Sequence, residues 1–126
     1  MTDKANGLIA AISKLQTIMQ APVKDIENTY YKSKYAGLAS CFDAVRKHFE
    51  ALGLAVTQPT KIVDGHVVVV TTVHHVDGDS MSSEYPVNPV KPDPQSYGSA
   101  LTYARRYALC SLLGIVQFDV GYDQTE

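Results

Sequence analysis

The run His66-Val67-Val68-Val69-Val70-Thr71-Thr72-Val73-His74-His75-Val76 constrains this chain more than any other stretch. β-branched side chains crowd a helix and fit a pleated strand. Asp64-Gly65 precedes the run and Asp77-Gly78-Asp79 follows it. Asp-Gly between apolar runs is a strong short hairpin signal, so the strand should have an antiparallel neighbour on each side. Leu54-Ala55-Val56-Thr57-Gln58 reads as a strand stopped by Pro59, and Lys61-Ile62-Val63 leads into the first turn. Ser80 to Val87 reads as a polar edge strand, where Pro86 is tolerable. Residues 54–87 are therefore expected to form an antiparallel three- or four-stranded meander whose central strand is buried on at least one face.

Helices flank this sheet in sequence. Residues 5–21 place Leu8, Ile9, Ile12, Leu15, Ile18 and Met19 at helical spacing, with Asp3 or Asn6 as cap and Pro22 as stop. Its apolar stripe packs on its own domain or contacts a neighbouring subunit. Residues 38–52 line Leu38, Cys41, Phe42, Val45, Phe49 and Leu52 on one face, and Gly53 closes the helix. Asn88 to Pro94 is a stiff, proline-rich linker. It delivers the chain to a long helix begun by Asp93-Pro94 and ended by Gly114. In that helix Tyr97, Ala100, Leu101, Ala104, Tyr107, Ala108, Ser111 and Leu112 share one wide face. Gln95, Ser99, Thr102, Arg105 and Arg106 share the other. The second face has two guanidiniums and no carboxylate, a row of donors suited to phosphate oxygens. The plain alternative is a core helix with a solvated basic face. The fold class is α+β, with helices against one face of the sheet.

A net charge of -2 argues against a simple cationic nucleic-acid binder. Its distribution is uneven. Residues 28–48 carry +3 and residues 95–113 carry +2, whereas residues 60–94 and the last thirteen carry -3 each. The fold would have to bring the two positive segments together. The first holds Asn28-Thr29-Tyr30-Tyr31-Lys32-Ser33-Lys34-Tyr35-Ala36, without a helical stripe. If extended, it projects Lys32 and Lys34 from one side. Tyrosines beside lysines supply rings for bases and ammoniums for phosphates; the alternative is a loop whose tyrosines half-bury against the fold. Arg46 and Lys47 extend the basic surface or are simply solvated.

Several function classes are excluded or weakened. A hydrophobic content of 45% with 19% charged residues supports a folded core, and 126 residues suit one domain, residues 1–126, with 116–126 frayed. No apolar run is long enough to span a membrane, and the N-terminus has no signal-peptide pattern. Cys41 and Cys110 read as buried free thiols. No Gly-rich loop followed by Lys-Ser/Thr occurs, so neither ATP nor another cofactor is implied. No nucleophile–base grouping is evident. His74, His75, Asp77 and Asp79 are metal-ligand types, but neighbours in a strand point to opposite faces.

One string goes further. Gly98-Ser99-Ala100-Leu101-Thr102-Tyr103-Ala104-Arg105-Arg106-Tyr107-Ala108-Leu109, with Asp93-Pro94-Gln95 before it and Leu113-Gly114-Ile115 after it, closely resembles the signature of the Erf (essential recombination function) family of phage single-strand annealing proteins. Lys34-Tyr35-Ala36-Gly37-Leu38-Ala39, then a helix ending Leu52-Gly53-Leu54, resembles that family's N-terminal half. The resemblance covers about residues 30 to 115. Phe118-Asp119-Val120-Gly121-Tyr122-Asp123 departs from the denser acidic run such sequences often carry, and the chain stops short of their common further C-terminal part.

The resemblance implies a β-β-β-α centre, ATP-independent binding of single-stranded DNA, and annealing of complementary strands in recombination, in the cytoplasm of a bacterial host. It implies a homo-oligomeric ring or helical filament, with a phage exonuclease or host single-strand binding protein as further partners. On this view Arg105 and Arg106 grip phosphates, and Thr102 and Ser99 donate hydrogen bonds. Lys32 and Lys34 form a second positive edge, and Tyr31 or Tyr35 offers a stacking platform. Gly98 permits close approach of the helix to DNA or to the sheet. The rival readings are a structural oligomer whose basic strip pairs with a neighbour's acidic tail, and a small metal-dependent enzyme.

Overall fold

The computed structural model describes residues 7–28 and 33–115. Three helices, α1 (Leu8–Ile18), α2 (Leu38–Leu52) and α3 (Pro94–Leu113), accompany six strands: β1 (Ile26–Asn28), β2 (Ser33–Tyr35), β3 (Leu54–Thr57), β4 (Thr60–Val63), β5 (His66–His75) and β6 (Ser80–Pro86). The α+β class expected from the pattern is the class observed.

The main sheet is a single layer three strand positions wide, and the strand along one edge is broken. β3 pairs with β5 from Leu54↔His75 to Thr57↔Thr72, and β4 pairs with the same edge from Thr60↔Val69 to Val63↔His66. The register is identical in both halves, so β3 and β4 are one strand interrupted at Gln58-Pro59. Proline has no N–H for the ladder, but its carbonyl accepts from the Val70 N–H at 2.8 Å and keeps the halves aligned. β6 pairs with the opposite edge of β5, from Val68↔Pro86 to His74↔Ser80. The turn at Asp64-Gly65 has both residues at positive φ, 51° and 79°. That is the conformation whose twist suits a two-residue hairpin.

Alternation assigns the faces of β5. Val69, Thr71, Val73 and His75 are buried beneath the helices, while His66 and His74 are exposed on the other face. That outer face is closed by polar pairs. Thr72 Oγ1 meets Ser82 Oγ at 2.7 Å, and Thr57 Oγ1 meets His74 Nε2 at 2.9 Å. Lys61 on β4 and Glu84 on β6 join at 2.8 Å over β5, where Val68 is buried despite facing outward.

The main core joins Leu8, Ile12 and Leu15 of α1 with Val45 and Phe49 of α2, Val73 of β5, and Leu109 and Leu113 of α3. A smaller cluster of Val69, Val87 and Ala104 fixes α3 on the sheet. α2 has the expected bounds, and Gly53 takes the left-handed C-cap conformation at φ 71°. α1 is shorter than expected: Met19 is already extended. Pro22 disfavours helix at the residue before it, and the chain has left the helix before reaching it. Ile9 and Ile18 fall outside the buried stripe and are exposed, and Ala11 takes a place within it. Gly7 is the N-cap of α1, and Asp3 and Asn6 lie outside the described residues. Among the described residues no helix is long and apolar enough to cross a membrane.

Candidate nucleic-acid interface

The local chemistry of α3 is as its ends predict. The Ser96 N–H donates to Asp93 Oδ1 at 2.8 Å, satisfying one of the orphan donors of the first turn. Gly114 closes the helix at φ 71°, with the Ile115 N–H on the Cys110 carbonyl at 2.8 Å. The Leu113 carbonyl is taken by Gln16 Nε2 of α1 at 2.8 Å. At 1.5 Å per residue the helix is about 30 Å long.

Its two halves have different surroundings. In the first half Gln95, Tyr97, Gly98, Ser99, Thr102 and Tyr103 are exposed. In the second, Ala104 and Ala108 are buried, and so are Arg106, Leu109, Cys110 and Leu113 on the opposite side. The expected division into one apolar and one donor face therefore holds only in part. Tyr97 and Ser111 are exposed despite their place on the apolar face, and Arg106 is buried despite its place on the donor face. The reason is that α3 contacts two things. Ala104 packs on the sheet, whereas Leu109, Cys110 and Leu113 pack into the core built by α1 and α2. A helix apolar on both sides is buried on both sides.

Arg106 is only 6% exposed and is held among tyrosines. Its guanidinium carbon lies 4.5 Å from the ring centre of Tyr35, 4.6 Å from Tyr107 and 5.4 Å from Tyr103. Desolvated cation–π contacts of this kind contribute up to about 2 kcal/mol each. Tyr107 is central. Its ring sits 4.5 Å from Tyr103 and stacks at 6.3 Å and 17° on Tyr85 of β6. Burial, with the Tyr103 hydrogen bond second, pushes the Tyr107 phenol far above its ordinary range, so it stays neutral. The two positive segments do meet, but through Tyr35 on Arg106 rather than as one open basic face.

The hairpin that supplies Tyr35 is fixed at its base. The polar aromatic stretch forms β1 and β2 with Ile26↔Tyr35 and Glu27↔Lys34 in register. Before it, Asp25 caps α2 from a distance: Oδ1 accepts from the Gly37 N–H at 3.0 Å and Oδ2 from Ser40 Oγ at 2.8 Å. These bonds, the Gly37 one foremost, hold the Asp25 carboxyl below its usual value. Below the cluster, Cys41 and Cys110 are free and buried, as expected. The hydrogen bond to Cys41, then burial, raises the Cys110 thiol far above its usual range, which keeps it protonated.

Arg105 differs from its neighbour. It is half-buried at the rim of α3, its carbonyl accepts from Gln58 Nε2 at 3.0 Å, and its own Nε is buried with no hydrogen-bond partner. Gln58, set at the break between β3 and β4, also donates to Thr71 Oγ1 at 2.9 Å. The strand interruption thus props the backbone of α3 under Arg105. Among the described residues no carboxylate pairs with Arg105. A guanidinium without a carboxylate partner keeps its charge uncompensated, the condition that suits an anion.

The remaining site expectations fall as follows. Ser99 and Thr102 are exposed on α3, on the same half of the helix. Lys34 is exposed on β2 with Glu27 directly across the hairpin. Tyr35 is half-buried and occupied by Arg106, so it is no open platform. Tyr31 and Lys32 lie outside the described residues, as does the acidic tail from residue 116. Gly98 is not a helix–sheet contact, because a Cβ there would meet nothing within 4 Å. Arg46 pairs with Asp43 on the surface of α2. His74 and His75 point apart. His74 bonds to Thr57, and buried His75 sits 3.0 Å from Asp77. Among the described residues no three metal-ligating side chains converge. Sequence reasoning passed over Tyr85, Tyr103 and Gln58. Tyr103 and Tyr107 flanking Arg106 at i, i+4 was the available signal for the first cluster; nothing local marked Gln58.

A family model described as the ERF superfamily matches residues 8–126. No curated protein and no solved structure matches the chain. At the level of the family, the function is recombination and single-strand annealing rather than typical enzyme catalysis.

Proposed function

Because the chain belongs to the ERF superfamily, we propose that it binds single-stranded DNA and anneals complementary strands without ATP. The observation that carries this reading is Arg105, a half-buried guanidinium on α3 that no carboxylate pairs with among the described residues. Exposed Thr102 and Ser99 precede it on a helix that holds no carboxylate between Pro94 and Leu113. These groups take the phosphate backbone, Arg105 as a charged fork and the hydroxyls as neutral donors. Lys34, with Lys32 and Tyr31 of the adjoining segment, adds a second edge. Arg106 and Tyr35 serve the site from beneath, as its support. Backbone contacts position a strand without reading it, which leaves bases able to pair. One copy offers few cations, so affinity comes from several copies in series, in a ring or helical filament.

The test is fluorescence anisotropy of a labelled single-stranded oligonucleotide with wild type and Arg105→Gln, with circular dichroism as a fold control. Wild type should bind, and weaken steeply as salt rises. Folded Arg105→Gln should bind at least ten-fold more weakly, and strand annealing should proceed without nucleotide. Equal binding by both would remove Arg105 from the interface, and no binding by wild type would defeat the reading.

A further inference from the structure

A cavity of about 320 Å³ opens between the end of β6, the linker after it and the first half of α3. Tyr85, Asn88, Ser96, Ser99, Ala100 and Tyr103 line it, together with Pro86 and Val90. We infer that this cavity receives one unpaired nucleobase of the bound strand. The inference rests on the strand-binding reading above and names what that strand inserts.

Four features select this occupant. The lining has no charged side chain, so it fits a neutral group rather than a phosphate. Two of its walls are aromatic and offer stacking surface to any base. Two serine hydroxyls and an asparagine amide can meet the donors and acceptors of a base edge. At about 320 Å³ the space is large enough for one planar base.

The walls are also held in place. Tyr85 and Tyr103 both rest on Tyr107, at 6.3 Å and 4.5 Å, and Arg106 presses on Tyr103 and Tyr107 from below. Tyr103 is nonetheless 50% exposed, which leaves part of its ring uncovered. Ser99 belongs both to the cavity wall and to the row of exposed donors that continues at Thr102. Residues three apart on a helix lie about 5–6 Å from each other, the order of the distance from a base to its own phosphate. A strand gripped at Thr102 and Arg105 thus has a base within reach of the cavity. A base in a duplex would first have to unpair and unstack to enter, a cost a single strand largely escapes, so the cavity favours the single strand over the duplex product.

The experiment compares a thymine oligonucleotide with an abasic backbone of equal length, by anisotropy at one salt concentration. Wild type should prefer the thymine strand on the order of ten-fold. Ser96→Phe, which fills the space, and Tyr103→Ala, which removes a wall, should each bring that ratio close to one. Circular dichroism confirms folding, and either folded variant suffices for the comparison. A ratio near one in wild type, with salt-sensitive binding intact, overturns the cavity and leaves the proposed function standing. A ten-fold ratio that persists in the folded variants overturns it as well. So does a change of elution volume on a sizing column with the ratio untouched, which would make the cavity a contact between copies. Absence of binding to either strand overturns both readings.

Discussion

The two halves of α3 share one backbone and one set of capping rules yet have opposite fates. Residues 94–103 are mostly exposed, carry hydroxyls and form one wall of a cavity. Residues 104–113 are gripped on two sides, and their one inward cation is enclosed by three tyrosines. Arg105 and Arg106 both lie in this second half, yet they share neither side nor surroundings. They have the same chemistry and adjacent positions, but 100° of helix rotation turns one to an open rim and the other into an aromatic cage. Side-chain type alone does not decide whether a cation binds a ligand or holds a core; what packs against its side of the helix does.

Exchanging the two arginines' roles is the strongest way to break this comparison. Arg106→Ala should cost about 2–4 kcal/mol in urea unfolding, because three ring contacts are lost and a void is left. Arg106→Lys should recover little, since an ammonium does not stack as a plane. Arg105→Gln should leave the unfolding midpoint nearly unchanged while weakening DNA binding. If Arg105 proves the more destabilising of the two, the division of labour is wrong.

Gln58 sits at the boundary, tied to buried Thr71 and to the Arg105 carbonyl. Gln58→Ala should cost about 1–2 kcal/mol in the same assay, as two acceptors lose a partner. A smaller loss would mean that the sheet does not support the helix at this point.

Gly98 sharpens the contrast with the opposite sign. It lies in a helix interior with open space where a Cβ would be, so Gly98→Ala should stabilise by about 0.5–1 kcal/mol. If the same variant weakens DNA binding, the backbone of a strand passes close by Gly98.

The smallest effect concerns the hairpin that covers the second half. The Asp25 carboxyl is held low by the Gly37 N–H and Ser40. A depressed folded-state value means its contribution is complete at neutral pH and disappears as pH falls below about 4. Thermal midpoints followed downward from pH 7 should fall more steeply for wild type than for Asp25→Asn over that window. Parallel curves would show that Asp25 does not anchor the hairpin.

Much of this was legible in the chain itself. Asp64-Gly65, Asp93-Pro94, Gly53 and Gly114 each specified a turn or a cap through contacts within a few residues, and the structure uses all four. The β-branched run became the central strand, and the string around Arg105 identified the family. These signals are local, set by backbone sterics, hydrogen bonding of chain ends and side-chain period. Tertiary structure alone decided that β3 and β4 share one edge of β5, that Asp25 caps a helix from twelve residues away, and that Gln58 reaches α3 across 47. It also decided that Tyr35 covers Arg106. A helical repeat reports which residues share a side, but not how many sides will be covered. For α3 the answer was two, because the sheet and the α1–α2 core meet it from different directions, and that turned one of two neighbouring arginines inward.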